Sequence, residues 1–463
     1  MARQLLEAIL DNGVANPHYF DGRLLTATAM RDDQAAHRAR QRHLGRALGA
    51  GVVQGLFIGI EFPGSGSAAP LVSVQAGLAI NGNGQTLELP AREIVALART
   101  STPPPAAADL FRTCEPPTAQ VEGPGDGFYV LVVAPASGFR GRAPASGLSD
   151  PTAGAGCGSQ WAVEGVRFRL VQLDPLAVTG LSSSTRQLLE TELLGATTES
   201  GLSRLRNVIA HLCLGTEPLA GFATDPFARE TEPDGSTEAA LADYGALDGL
   251  LDNGALTDCD VPLALIHWRL NGLVFVDNWA VRRRLAPPAT AITWPTLSGG
   301  RRRAEAEAVL FQFQEQMAAV VAQSANPSAI RASDYFRWVA PAGFLPLAGV
   351  ERGVDVAFFD PLPHRDPIEY LNGERIGDLI QRSLFYEPID LAEPEMVWLY
   401  YPWQQDPARA AGTTVRSYLL FASGHLPPYA TARFDVARWD FSNYAECCGD
   451  AGKTAGETIV SFA

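Results

Sequence analysis

Asp252, Asn253, Asp258 and Asp260 put four oxygen-bearing side chains within one short stretch. A calcium ion takes its ligands from such loops. The spacing is not that of an EF-hand, however, and a solvated acidic loop is the simpler reading. Asp366, Glu369 and Glu374 offer the paired carboxylates of glycoside hydrolysis, but that chemistry depends on a separation the sequence does not set. Cys447 and Cys448 are adjacent and read as free thiols rather than as a strained disulfide. His37 and His43 lack the i, i+3 or i, i+4 spacing of a metal pair and read as surface or interface residues. His18, beside Tyr19 and Phe20, reads as a packing or turn-bonding histidine. No nucleophile elbow, P-loop, dinucleotide fingerprint or zinc-protease motif occurs. Gly82-Asn83-Gly84 lacks a third glycine and a following helix, so it is a hairpin turn. The expectation is a non-enzymatic chain without catalytic residues, metal or cofactor.

Two basic clusters, Arg282-Arg283-Arg284 and Arg301-Arg302-Arg303, stand in an acidic protein. They read as solvated faces, or as faces that meet an acidic neighbour. The aromatics Tyr400, Tyr401, Trp403, Tyr429, Trp439, Phe441 and Tyr444 read as an exposed sugar-binding platform or as the core of a C-terminal domain.

These residues must be held by a large chain. At 463 residues, two or three domains are expected. Only 19% of residues are charged, and 44 Gly with 33 Pro favour strands and loops over a helical bundle. The net charge of -15 argues against nucleic-acid binding through a broad basic face. The six cysteines have no C-x-x-C pair and no dense secreted-scaffold pattern. The segment from Met1 to Glu7 lacks a signal-peptide core. No apolar run reaches the roughly 18 residues of a membrane span. Cytoplasmic synthesis without a signal peptide is expected, with no direct membrane insertion and with release only as part of a larger particle.

The N-terminal stretch is the most patterned. Asn16-Pro17 favours a turn, with His18, Tyr19 and Phe20 packed beneath it, and Asp21-Gly22 supplies a second turn signal. Thr26 is placed to cap a helix over residues 27–48. Met30, His37, Gln41, Leu44 and Leu48 share one face of that helix. A strand is expected from Val52 to Ile60, then a hairpin across Asn81-Gly82-Asn83-Gly84. Residues 101–126 are Pro/Ala-rich and read as a linker or an extended excursion. Phe128–Val133 reads as a buried strand, 134–160 as a long loop and 163–171 as another strand. Leucines recur at helical spacing over 184–214, with Gly195 and Gly201 splitting the helix. Asn271-Gly272 marks a second hairpin between strands at 261–268 and 273–276. A helix over 301–323 follows, then strands at 396–401 and 418–422. The fold class expected is α+β and multidomain. It comprises an N-terminal β-sandwich-like module with a helix (1–180), a helical middle segment with an acidic loop and an inserted hairpin (181–325), and a β-rich C-terminal domain (326–463).

The run Tyr19-Phe20-Asp21-Gly22-Arg23-Leu24-Leu25-Thr26, the strand Gly51-Val52-Val53-Gln54-Gly55-Leu56 and the segment Gly77 to Gln85 resemble proteins encoded with extracellular contractile injection systems and phage-tail-like particles. Cys259 to Ala264, Val276 to Trp279 with Arg282-Arg283, and Tyr335 to Arg337 with Pro341 to Pro346 extend the resemblance to about half the chain. The order is similar, more distantly, to the baseplate adaptor of type VI secretion. The resemblance carries no catalytic motif. It implies a structural part of a baseplate or surrounding cage that contacts itself and baseplate, sheath or fibre proteins. The turn and one helix face are then the expected interface: Tyr19, Phe20, Asp21, Arg23, Arg31, Arg38 and Arg42. The alternative is a carbohydrate- or receptor-binding protein on the same particle.

Overall fold

Thr26 starts the first helix: its Oγ1 accepts from the Ala29 amide at 3.1 Å, and helix α1 runs Ala27–Leu48. The computed structural model describes residues 13–61, 71–97, 114, 125–144, 157–178, 181–216, 245–269, 272–286, 300–348, 352–360, 362–364, 368–383, 386–393, 396–403 and 418–423. The buried residues of α1 are Ala29, Ala36 and Gly45. Met30, Leu44 and Leu48, expected on one partly buried face, are instead 55%, 68% and 56% exposed. Small residues make the seam because they let the helix approach the body closely. A Cβ on Gly45 would lie 2.1 Å from the carbonyl oxygen of Gly84.

The strand expected over 52–60 is broken. Gly55 and Leu56 both take positive φ (63° and 57°), and this kink sends the chain from one sheet to another. Strand β1 (Gly51–Gly55) joins β4 (Gly77–Ile80) and β5 (Thr86–Leu89). Strand β2 (Ile58–Glu61) joins β3 (Leu71–Val74) and β6 (Glu93–Ala96). The Asn81–Gly84 turn connects β4 and β5 as the sequence indicates.

A four-stranded sheet in the order β10-β9-β7-β8 lies at the centre. It comprises β7 (Gly127–Pro144), β8 (Cys157–Leu173), β9 (Val261–Arg269) and β10 (Gly272–Asp277). Alternation along β7 divides its side chains between two cores. Tyr129, Leu131 and Val133 meet the residues of β1 to β5 on one side. Phe128, Val130 and Val132 meet the helical layer on the other. The 134–160 loop expected from sequence is largely strand: β7 and β8 pair from Phe128↔Leu173 out to Pro144↔Cys157. Because β9 pairs along β7, the 261–277 hairpin hydrogen-bonds across the boundary expected at residue 180. Asn271 of its turn lies outside the described residues.

The helical layer holds α2 (Ser183–Leu188), continued as a π-helical turn over Leu189–Leu193, α3 (Glu199–Leu214) and α4 (Ala246–Asp252). The break falls at Gly195; Gly201 lies inside α3, whose cap is Thr198. Helix α5 (Gly300–Gln323) connects this layer to the last core. There Phe313, Met317 and Val320 pack with Phe336, Phe358 and Phe421. The short strands β11 (Trp338–Val339) and β14 (Ile389–Asp390) pair with each other, and that core is covered by the mixed sheet β12-β16-β15-β13, in which β13 (Glu369–Asn372) lies parallel to β15 (Trp398–Trp403), and β12 (Ala342–Pro346) and β16 (Tyr418–Ala422) are antiparallel. The architecture is mixed α+β with several distinct cores.

Candidate interaction surface

The N-terminal turn and α1 present large apolar side chains to solvent. Tyr19, Phe20, Leu24 and Leu25 are all exposed, Phe20 by 61% and Leu24 by 80%. His18, Tyr19 and Phe20, expected to pack beneath the turn, are instead exposed: among the described residues no layer buries them. Arg23 organises the group. Its guanidinium donates to the His18 carbonyl and sits 5.9 Å from the Tyr19 ring centre, while His18 stacks on Phe20 at 6.1 Å. Asp21 is exposed in the turn. Arg31, Arg38 and Arg42 share one stripe of α1, about 16 Å long at 1.5 Å rise per residue. Met30, His37, Gln41, Leu44 and Leu48 occupy the adjacent stripe. Arg38 reaches Glu164 of β8 at 3.6 Å. The structure therefore groups Tyr19, Phe20 and Arg23, and separately aligns the three helical arginines.

This surface is tied to the body through the β4–β5 turn. A Cβ on Gly84 (φ +75°) would lie 2.1 Å from the Arg42 carbonyl oxygen, the mirror of the Gly45 contact. Asn81 bridges the turn, donating to Gln85 Oε1 at 2.8 Å and to the Cys259 carbonyl at 3.2 Å. Cys259 forms a disulfide with Cys114, 145 residues away in sequence. The spacing of the six cysteines gave no sign of this pair.

The other sequence candidates fall into structural roles. Asp260 accepts from Arg169 at 2.9 Å and from the Thr257 amide and hydroxyl. Asn253 closes α4 and accepts from the Ala255 amide. Asp252 and Asp258 are exposed. Among the described residues no three His, Cys, Asp or Glu side chains converge as metal ligands. His37 and His43 are exposed on α1. The backbones of Glu369 and Glu374 lie in β13 and the 3-10 turn after it; Asp366, Cys447 and Cys448 lie outside the described residues.

Arg282 overturns the reading of its cluster as a surface face. It is 2% exposed, donates to the carbonyls of Gly55 and Leu56 and lies 4.3 Å from the Phe57 ring centre. Burial lowers its pKa to about 10. The carbonyls it satisfies are those turned inward by the Gly55-Leu56 kink. Arg283 donates to the carbonyls of Cys213, Ala280 and Arg282. Arg284 stacks on Phe311 at 5.4 Å and faces Glu307 at 3.7 Å. In the second cluster Arg303 pairs with Glu307 at 3.6 Å, and the side chains of Arg301 and Arg302 lie outside the described residues. Of the C-terminal aromatics, Tyr400 follows the core alternative rather than the sugar-binding one. Tyr400 is fully buried, since it lies on the inner face of β15. Tyr401 is half-buried against exposed Tyr370 at 5.6 Å. The Trp403 side chain, Tyr429, Trp439, Phe441 and Tyr444 lie outside the described residues.

Sequence reasoning missed the buried polar network. Asp277, with no exposure, accepts from Arg206 at 2.7 Å, Gln312 at 3.0 Å and the Ala280 amide at 2.8 Å. Arg206 also meets Glu315 at 2.9 Å. Desolvation pushes the Glu315 pKa upward, with the Asp277 charge adding to the rise. Nearby, burial lowers the His211 pKa to about 3 and raises that of Cys213 to about 12. A neutral imidazole and a protonated thiol in a closed core are groups held inert, not groups poised for catalysis. A cavity of about 560 Å³ lies between the ends of α1 and α3, α4 and the start of α5, floored by Leu214, Leu251, Leu256 and Val281 with Asp248 and Glu305 at its wall. Burial raises the Glu305 pKa well above the carboxylate range.

No known family model matches this chain, and no curated protein matches its sequence.

Proposed function

We propose that this chain is a non-enzymatic structural subunit of a contractile injection, phage-tail-like particle. It works in the baseplate or a surrounding cage, through self-association and contacts with neighbouring subunits. The observation that supports this reading is the apolar and arginine-bearing surface of the N-terminal turn and α1, whose long side chains point to solvent while its alanines and Gly45 face the body. A turn that displays Leu24 and Leu25, leading into a helix that hides its small residues and displays Met30, Leu44 and Leu48, is built to be covered by something else. The run of residues that carries the resemblance, Tyr19 to Thr26, opens this same surface. The Cys114–Cys259 disulfide suits a subunit that ends in an oxidising medium outside the cell.

The test is co-sedimentation of purified, tagged protein with particles from its own cells, followed by electron microscopy. The protein is expected in tail-like particles. A variant carrying Leu44→Asp and Leu48→Asp should keep its thermal midpoint and leave the particle fraction. A chain that joins no particle overturns the reading.

A further inference from the structure

Among the described residues outside the β7–β8 ribbon, only Arg38 of α1, which meets Glu164, reaches the exposed outer stretch of β8. Strand β9 accompanies β7 only as far as Val133, paired with Val261. Beyond it the two strands continue alone through Phe139↔Ala162 and Arg140↔Trp161 to Pro144↔Cys157. On β8 all nine residues from Cys157 to Gly165 are exposed, on both faces, with Trp161 at 60% and Val163 at 43%. A Cβ added to Gly138, Gly158 or Gly165 would touch nothing within 4 Å. An isolated two-stranded ribbon is marginal in water and is stabilised by a third strand.

Strand β8 is also the edge of its sheet. Soluble proteins blunt long edges with lysine, proline, inward charge or a bulge. The exposed stretch Cys157-Gly158-Ser159-Gln160-Trp161-Ala162-Val163-Glu164-Gly165 has none of these; its single charge, Glu164, faces Arg38 of α1. We infer that this edge pairs with the same edge of a second copy, β8 against β8 and antiparallel, extending the two ribbons into one four-stranded sheet. The inference rests on the self-association in the proposed function and names its contact.

Charge favours the β8 edge: residues 157–165 carry one charge, Glu164, whereas the outer β7 edge carries Arg140 and Arg142. A two-fold antiparallel pairing centred on Trp161 sets Gln160 against Ala162, Ser159 against Val163 and Gly158 against Glu164 of the second copy, so no like charges oppose. The same operation on the β7 edge, centred on Gly141, sets Arg140 directly against Arg142. Like charges at directly opposed positions destabilise a strand pair. An isologous β8 contact is closed and self-limiting at two copies.

The experiment is native mass measurement of the purified full chain, with a cysteine crosslink to locate the contact. The wild type is expected to be a dimer, and Ala162→Lys, which places a charge on the edge, should raise its dissociation constant at least tenfold. In a Cys157→Ser background, Trp161→Cys should form a disulfide-linked dimer on addition of an oxidant, whereas Arg140→Cys should not. Hydrogen exchange at residues 157–165 should be slow in wild type and fast in Ala162→Lys. A wild type that is monomeric yet still enters particles overturns this contact and leaves the proposed function standing. A dimer that Ala162→Lys leaves intact, or a crosslink through Arg140→Cys alone, overturns the β8 contact specifically. A monomer that enters no particle overturns both.

Discussion

Replacing Gly45 with alanine sets two ordinary effects against each other, and the structure decides the sign. Alanine in a helix interior is favoured over glycine by about 1 kcal/mol. The new Cβ, however, would stand 2.1 Å from the Gly84 carbonyl oxygen and 2.7 Å from its carbon. Both are backbone atoms, so no side chain can swing aside. Ordinary contact begins at 3.4 Å, which requires α1 or the turn to retreat by about 1.3 Å. Overpacking of this kind costs about 1–3 kcal/mol, and backbone against backbone belongs at the upper end. The net expectation is a loss of about 2 kcal/mol of docking free energy after the helix gain is subtracted. Native-state hydrogen exchange reads this locally: amides of α1 and of residues 81–85 should exchange about 30-fold faster, at about 1.4 kcal/mol per tenfold. Gly84→Ala should cost more, because its φ of +75° is itself unfavourable for alanine. The two changes together should cost less than their sum, since they damage one contact. Slower exchange in Gly45→Ala would mean that helix propensity alone governs the site and that α1 does not dock on the turn as described.

Other outcomes follow from the buried groups. Asp277→Ala leaves buried Arg206 with Glu315 alone and strips Gln312 and the Ala280 amide of their acceptor, and should cost about 3–5 kcal/mol by urea unfolding. The His211 pKa is held near 3 in the folded chain against about 6.5 unfolded. The unfolded state therefore takes up a proton first as pH falls, and this histidine's contribution is intact above about pH 6.5 and lost on descent towards pH 3. The stability difference between wild type and His211→Gln should change by about 1.4 kcal/mol per pH unit in that window and be flat above it; a pH-independent difference would refute the assignment. Reduction of Cys114–Cys259, which closes a loop of 145 residues, should cost up to about 5 kcal/mol on chain-entropy grounds, visible as a lower thermal midpoint in dithiothreitol. Arg282→Met keeps the stem but strips two inward carbonyls of their donor, and should destabilise by about 2–4 kcal/mol as measured in denaturant.

The elements that short-range chemistry dictates were legible. Thr26 as a cap, the Asn81–Gly84 turn and the strands of the second hairpin each depend on residues a few positions apart. The α+β class followed from composition and from the change of hydrophobic period along the chain. What escaped depends on distant partners. Nothing near Leu56 says that it adopts positive φ, because the arginine that satisfies its carbonyl is 226 residues away. The distal halves of β7 and β8 look like a loop because glycine, alanine and serine carry no apolar alternation; only the partner strand makes them regular. The buried face of α1 escapes its sequence because hydrophobic periodicity marks large apolar residues, whereas α1 docks through its smallest ones. Of the seven interface residues expected, Tyr19, Phe20 and Arg23 are gathered by the turn and Arg31, Arg38 and Arg42 by helical geometry, while Asp21 stands apart from both groups.

The β7–β8 ribbon is also a lever with a defined load path. A pull at its tip along the strand axis is passed to the rungs between Phe128–Val133 and β9, and through Arg169 to Asp260 beside the disulfide. Those rungs lie across the pull, so they are loaded in shear and share it. A pull perpendicular to the sheet peels them one by one. The same hairpin is therefore stiff along its length and compliant across it. Under the function proposed above, a subunit anchored this way would transmit an axial stroke faithfully while giving way to sideways displacement. Single-molecule pulling from the tip in the two directions would show this as a higher rupture force along the axis.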